Sequence, residues 1–211
     1  MEETVSFIED APILDALEPA HMVRMNVGRR WWYCMLKKIP DDLGYKEIIE
    51  KYIAKIGEHV RNGRGLIFHS TSNSSGKTSA AVIVGKAALC HGATVYFLPV
   101  AELQDQKFEK TRFDEHQSVW ERVLAVDILI LNDLGAEHGS PWAKSLVERI
   151  VRLRSNEKKV IIATTNMFDQ MKDLYGDSTR EILRAATYPV KVHGKNWRDD
   201  EAEALKRAII E

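Results

Sequence analysis

The stretch FHSTSNSSGKTSAA, Phe68 to Ala81, carries a Gly-Lys-Thr triplet of the kind that holds polyphosphates. In the pattern G-x-x-x-x-G-K-[ST], backbone N–H groups wrap the phosphates, the lysine reaches the terminal ones and the hydroxyl binds Mg²⁺. Lys77 and Thr78 take those last two roles, and Thr71, Ser72, Asn73, Ser74, Ser75, Gly76 and Ser79 complete the loop. Taken alone, a Ser-rich turn that merely caps a helix reads the same way. Two further stretches favour the nucleotide: ILILNDLGAE ends an apolar run on Asp133, and VIIATTN ends another on Asn166. Strand ends of this kind lie at the carboxyl edge of a parallel sheet, where ligands of open α/β folds bind. A carboxylate there meets a metal and phosphates, and an amide there orients an attacking water near a γ-phosphate. The expected ligands are ATP and Mg²⁺.

Such residues converge only if strands and helices alternate around them. From Gly65 onward short apolar runs alternate with longer amphipathic ones, which predicts a parallel sheet. GLIFHS, ATVYFLPV, VDILILND, KVIIATTN and YPVKVHG read as its five strands, and Lys77 to Cys90 as the helix after the phosphate loop. In PWAKSLVERIVRLRSNEK, Ser140 is the expected N-cap and Pro141 the first helical residue, with Leu146, Ile150, Val151 and Leu153 on the inner face. Ser178 and Glu181 have capping-box spacing, so a helix is expected to begin near Thr179 and to carry Arg180 and Arg184 one turn apart. The segment 101–125 predicts one or two surface helices, and YKEIIEKYIAKIGEHVRNG an amphipathic helix ended by Asn62 and Gly63. The fold class is therefore α/β: a P-loop three-layer α/β/α domain over 46–211, preceded by a short extension over 1–45 whose first 25 residues could either dock on a partner protein or simply fray.

Composition narrows the function classes. The 211 residues suit one domain with an appendage. Thirty Lys and Arg against 31 Asp and Glu give no bulk charge from which to argue a nucleic-acid or membrane partner. Cys34 and Cys90 lack a C-x-x-C partner and read as thiols in a reducing compartment, and the seven His residues have no ligand spacing. The apolar run from Val123 to Leu131 is too short to span a bilayer, and the first residues are acidic where a secretory signal is basic, so a cytoplasmic location is expected.

The motifs in this order resemble the helicase-loader branch of the AAA+ ATPases, the DnaC/DnaI group with its IstB relatives. The likeness runs from about Asn26 to Arg198: a basic-aromatic lead-in, a helix ending in N-G-x-G, the phosphate loop (Walker A), an acidic strand end (Walker B) continuing as L-G-A-E, a T-T-N strand, and a late arginine helix followed by a strand and Trp-Arg. The resemblance implies that Lys77 and Thr78 are the Walker A lysine and hydroxyl, that Asn132 and Asp133 occupy the paired acidic positions of Walker B, and that Asn166 is sensor 1. It further implies that Arg184 is an arginine finger reaching a neighbouring subunit's nucleotide, that Arg198 is a sensor 2 arginine, and that Arg180 is the lesser candidate for either duty. Assembly as a homo-oligomer, a replicative DnaB-like helicase, single-stranded DNA and a role in bacterial or bacteriophage replication follow as expected partners and setting, with no membrane.

Two motifs depart from the family pattern. Thr71 and Ser74 stand where glycine is usual, which predicts weaker nucleotide affinity, and Asn132 replaces a carboxylate, which predicts slow hydrolysis. Three other readings stay open: an IstB-like transposition helper, a nucleotide-dependent interaction module with little turnover, and a small-molecule kinase, which fits the loop but not L-G-A-E, T-T-N or the late arginines. In RRWWYC, Arg29, Arg30, Trp31 and Trp32 suit stacking on single-stranded bases, but packing of the tryptophans under the sheet is the stronger expectation. Trp120 and Trp142 are expected in the core or a subunit interface. Arg152, Arg154, Lys158 and Lys159 read as a solvated helix end, with a DNA-facing channel as the alternative.

Overall fold

The five apolar runs form a parallel sheet of strands β1 (Gly65–His69), β2 (Val95–Pro99), β3 (Ile128–Leu134), β4 (Val160–Thr165) and β5 (Thr187–Lys191), in the order β2-β3-β4-β1-β5. The computed structural model describes residues 17–73, 75–104, 119–136 and 140–193. Seven α-helices lie among the described residues: α1 (Pro19–Arg24), α2 (Tyr45–Ala54), α3 (Ile56–Asn62), α4 (Lys77–Cys90), α5 (Val119–Ala125), α6 (Pro141–Asn156) and α7 (Met171–Ala186). The near-continuous apolar character of β3 and β4 reflects burial on both faces. Leu66 and Phe68 point into one core with α2, α4 and the lead-in, while Ile67, one residue between them, joins the other core with α6 and α7.

Residues 22–45 belong to the first of these cores. Met22, Met25, Val27, Leu36, Ile39 and Tyr45 are buried there. The lead-in also covers the sheet's β2 edge: Phe97 N–H donates to Met25 O at 2.8 Å, and Asn26 Nδ2 donates to Phe97 O at 3.0 Å. Gly85 permits the close approach, because a Cβ at that position would sit 2.5 Å from Met25 Cε. Buried Lys86 of α4 fastens the same segment by donating to Trp32 O and Cys34 O, both at 2.9 Å. Burial depresses the Lys86 ammonium, with the Cys34 thiol opposing that effect.

Several element readings change in the structure. The helix expected from Tyr45 onward is two helices, broken at Lys55 (φ −120°, ψ 23°) and closed by Gly63 at φ 65°. Helix α7 begins at Met171, earlier than Thr179, and is interrupted at Gly176 (φ 73°, ψ 169°), so its second half starts close to the expected position. Ser140 caps α6 as expected, accepting from Ala143 N–H, with Pro141 at the first position. On α6 the buried stripe is Ala143, Val147, Ile150, Val151 and Arg154, with Leu146 and Leu153 only half-buried.

The basic run at the end of α6 is the largest revision. Arg154 is 1% exposed and donates to four main-chain carbonyls: Val123 at 2.7 Å, Val126 at 2.9 Å, Asp127 at 3.0 Å and Val160 at 2.7 Å. Lys159 Nζ donates to Leu124 O and Ala125 O. Together these two cations satisfy the carbonyls that helix α5 leaves open at its C-terminus, an end that also attracts positive charge. Neither a solvated helix end nor a DNA-facing channel describes Arg154. Burial pulls its guanidinium down to about 9, partly offset by the Asp127 carboxylate, so the side chain stays charged at neutral pH.

Trp31 and Trp32 are half-buried against the first core. Trp31 lies 5.8 Å from the Phe97 ring, and Trp32 Nε1 donates to Val27 O at 2.7 Å with the Arg29 guanidinium 5.7 Å above its ring. Packing therefore accounts for both indoles, and Arg29 and Arg30 are exposed. Trp120 packs on the second core with Arg149 4.7 Å above it, whereas Trp142 is 49% exposed on α6. No described helix is long and apolar enough to cross a membrane.

Candidate functional site

The carboxyl ends of β1, β3 and β4 bring the phosphate loop, Asn132, Asp133 and Asn166 together. Gly76 ends the loop at φ 97°, a conformation a side chain rarely adopts, and α4 starts on the next residue. Ala80 N–H bonds back to Gly76 O. By helix geometry the N–H groups of Lys77, Thr78 and Ser79 therefore have no acceptor within α4 and are directed to the loop side, as phosphate binding requires. Thr71 and Asn73 do not take positive φ. The missing glycine at position 71 thus imposes no backbone strain, and Gly76 alone meets the left-handed requirement among the described loop residues.

Lys77 is buried, and its ammonium donates to Ser72 O at 2.9 Å and to Ser75 Oγ at 3.2 Å. Ser70 steadies the loop from the strand end: its Oγ accepts from Ser72 N–H at 3.2 Å and lies 2.9 Å from Ser72 Oγ. The Ser79 side chain turns away and hydrogen-bonds the Cys34 thiol, which burial pushes up. What Ser79 offers a phosphate is its main-chain N–H.

On the facing strand, Asn132 is a junction. Its Oδ1 accepts from Thr78 Oγ1 and from Thr164 Oγ1, each at 2.9 Å, and its Nδ2 donates to Asp133 Oδ2 at 2.9 Å. Asp133 adopts φ 60° where the β3–β4 register shifts between Leu131 and Leu134. Such a bulge re-aims a side chain, and Asp tolerates the left-handed region better than most residues. Thr164 holds the bulge by accepting Asp133 N–H at 2.8 Å, and Thr165 Oγ1 donates to Leu134 O at 2.7 Å. The two threonines of T-T-N are thus fasteners for the acidic strand end, a role the sequence reading missed. Their polarity at the end of an otherwise apolar, doubly buried strand was the available signal.

Asn166 Nδ2 donates to Asn73 Oδ1 at 3.0 Å, linking the T-T-N strand to the phosphate loop. Gly135 N–H donates to Tyr175 Oη at 2.9 Å, which ties L-G-A-E to the helix bearing the late arginines. Arg184 stands apart from the cluster. It lies on α7, across the sheet from α4, with an exposed side chain whose Nε and Nη2 each bond Glu181 Oε2 at 3.0 Å. Arg180 pairs with the same carboxylate, and both arginines line a cavity of about 210 Å³ with Phe168, Asp169 and Leu183. Ser74 and Arg198 lie outside the described residues.

The donor set fits a magnesium nucleotide. A buried ammonium and a helix N-terminus match a polyphosphate, and Thr78, Asn132 and Asp133 present oxygens for a hard cation and its waters. Asp133 is the only carboxylate in that set.

The fold is that of a P-loop domain of AAA+ type. The chain belongs to the IstB-like ATP binding protein family, whose profile matches residues 42–187. Among curated proteins it is similar to the replicative helicase loader DnaC of Buchnera aphidicola subsp. Schizaphis graminum, 23% identical over 143 residues, covering 66% of this chain and 55% of that protein. The DnaC of the Acyrthosiphon pisum subspecies is 24% identical over 151 residues, covering 70% of this chain and 61% of the relative. The chain thus spans less than two thirds of the length of these relatives. Among solved structures, a DnaC helicase loader superposes with TM-score 0.68 at 22% identity, covering 78% of this chain and 99% of that one. DnaI follows with TM-score 0.64 at 19% identity, covering 81% and 93%. AMPPCP-bound DnaA from Aquifex aeolicus gives 0.54 at 19% identity, covering 77% and 50%. At these identities the structural likeness is one of fold.

Proposed function

We propose that the chain is a helicase loader that binds Mg-ATP, hydrolyses it slowly, and acts on a replicative helicase and single-stranded DNA in the bacterial cytoplasm. The observation that carries the nucleotide part is the Thr78–Asn132 hydrogen bond, which joins the phosphate loop to the acidic strand end in the arrangement a metal–phosphate ligand needs. The loader part is supported by relatives named as replicative helicase loaders. When bound, Mg²⁺ supplies charge neutralisation at the phosphates. Lys77 and the α4 N-terminus would bind and orient the phosphates, Thr78, Asn132 and Asp133 would hold the cation, Asn166 would orient the attacking water, and Arg184 of one copy would serve the nucleotide of the next. Hydrolysis then requires a homo-oligomer.

The test is ATP turnover and particle mass, measured with and without single-stranded DNA and a DnaB-type helicase. Helicase-stimulated assembly with turnover supports the reading. A chain that stays monomeric under every condition sinks it, and selective capture of a transposase would move it to a transposition helper.

Slow turnover has a local cause that can be tested separately. Asn132 brings a neutral amide where a second carboxylate would add charge at the cation. Asn132→Asp is expected to lower the Mg²⁺ concentration for half-maximal turnover roughly tenfold, since affinity for hard cations follows ligand charge. Without metal the same change exchanges the Asn132–Asp133 hydrogen bond for repulsion between neighbouring carboxylates, so the free protein should melt earlier. A magnesium titration of both proteins, with thermal melts in chelator, checks the two signs.

A further inference from the structure

We propose that Asn73 sets the preference between nucleoside triphosphate and diphosphate by competing with the terminal phosphate for the amide of Asn166. The inference rests on the reading of Asn166 as the residue that faces a γ-phosphate. Asn73 belongs to the loop between β1 and α4, Asn166 follows β4, and the two meet at 3.0 Å with Asn166 Nδ2 as donor. That is the distance and acceptor type a phosphate oxygen would offer the same nitrogen. The Asn73 carboxamide therefore imitates, in neutral form, the group that Asn166 receives from a bound triphosphate.

The consequence differs between the two nucleotides. A triphosphate that takes the Asn166 N–H now given to Asn73 displaces Asn73 and loses the energy of that contact. A diphosphate ends one phosphate short of the β4 terminus and leaves the contact in place. Charge-assisted hydrogen bonds to phosphate are stronger than neutral ones, so the triphosphate still wins the amide, at reduced advantage. The device depends on the side chain at this position, because Ala or Gly carries no acceptor. It also fits the loop's backbone: Asn73 is not in the left-handed region, so its side chain and not its φ explains an asparagine here.

Displacement titrations of a fluorescent nucleotide by Mg-ADP and by a non-hydrolysable Mg-ATP analogue, on the full chain, test the proposal. Asn73→Ala is expected to tighten the triphosphate roughly threefold to tenfold, the worth of one hydrogen bond, with the diphosphate changed by less than about twofold. Asn73→Asp keeps an acceptor for Asn166 and adds negative charge beside the γ-phosphate, so it should weaken the triphosphate by about tenfold. Opposite shifts in the two variants support the competition. An unchanged triphosphate-to-diphosphate ratio in both overturns it and leaves the nucleotide reading standing, and so does equal weakening of both ligands in Asn73→Ala, which would mark a scaffold residue. Failure of the parent chain to bind either nucleotide overturns the nucleotide reading and this inference together.

Discussion

Arg184→Ala is expected to lower ATP turnover by about a thousandfold, the scale on which an arginine completing a neighbour's phosphoryl-transfer site acts, while nucleotide binding stays within about twofold. The separation follows from position. Arg184 lies on the opposite side of the sheet from the phosphate loop, with an exposed side chain, so its own subunit's ligands at Lys77, Thr78 and Asp133 are untouched by the change. In the isolated chain the guanidinium rests on Glu181, an exposed pair of small energetic worth that a more highly charged phosphate can replace. The decisive form of the experiment mixes Arg184→Ala with Lys77→Ala, each nearly inactive alone. In a head-to-tail assembly about a quarter of randomly formed interfaces then combine an intact loop with an intact arginine, and turnover returns in proportion. No recovery on mixing, together with full activity of Arg184→Ala, would remove the arginine from the mechanism.

What was legible in the sequence follows the same division between local and long-range chemistry. The five strands and α4 could be read because hydrophobic periodicity and the Gly-Lys-Thr punctuation are local signals, and Ser140–Pro141 marked the start of α6 for the same reason. The cluster of Lys77, Thr78, Asn132, Asp133 and Asn166 followed once parallel strands were assumed, since their carboxyl ends share one edge. The bulge at Asp133 was invisible, because it arises from pairing with Thr164, 31 residues away. So was the Asn73–Asn166 contact, which needs the loop and the β4 end in one place. The break at Gly176 lay in plain view as a glycine, yet a helix start assigned to Ser178 explained the same residues. Most misleading was charge: Arg154 and Lys159 look like solvent-facing cations in one dimension, and only the packing of α5 against α6 turns them into caps.

That capping role makes Arg154 the position where a single substitution should do most harm to the fold. Arg154→Leu removes all four hydrogen bonds: Asp127 O keeps the Val160 N–H at 3.0 Å, while the carbonyls of Val123, Val126 and Val160 lose the guanidinium donors around a side chain that is buried. Each buried carbonyl left without a donor costs about 1–3 kcal/mol, so the expected loss is on the order of 4 kcal/mol even if some relax toward solvent. For a domain of this size that corresponds to a melting temperature lower by on the order of 10 °C. Arg154→Lys should recover part of the loss, because an ammonium keeps the charge and reaches fewer carbonyls than the fork of a guanidinium. The alternative of a DNA-contacting arginine predicts the reverse pattern: a melting temperature near the parent's and weakened binding to single-stranded DNA. Thermal melts beside a DNA titration at fixed salt separate the two. The damage should also reach the nucleotide end of the sheet. Arg154 bonds the residues where β3 and β4 begin, and those strands deliver Asp133 and Asn166 at their other ends. A loosened pair of strand starts is therefore expected to weaken nucleotide binding at temperatures well below the melt, although no atom of Arg154 belongs to the site.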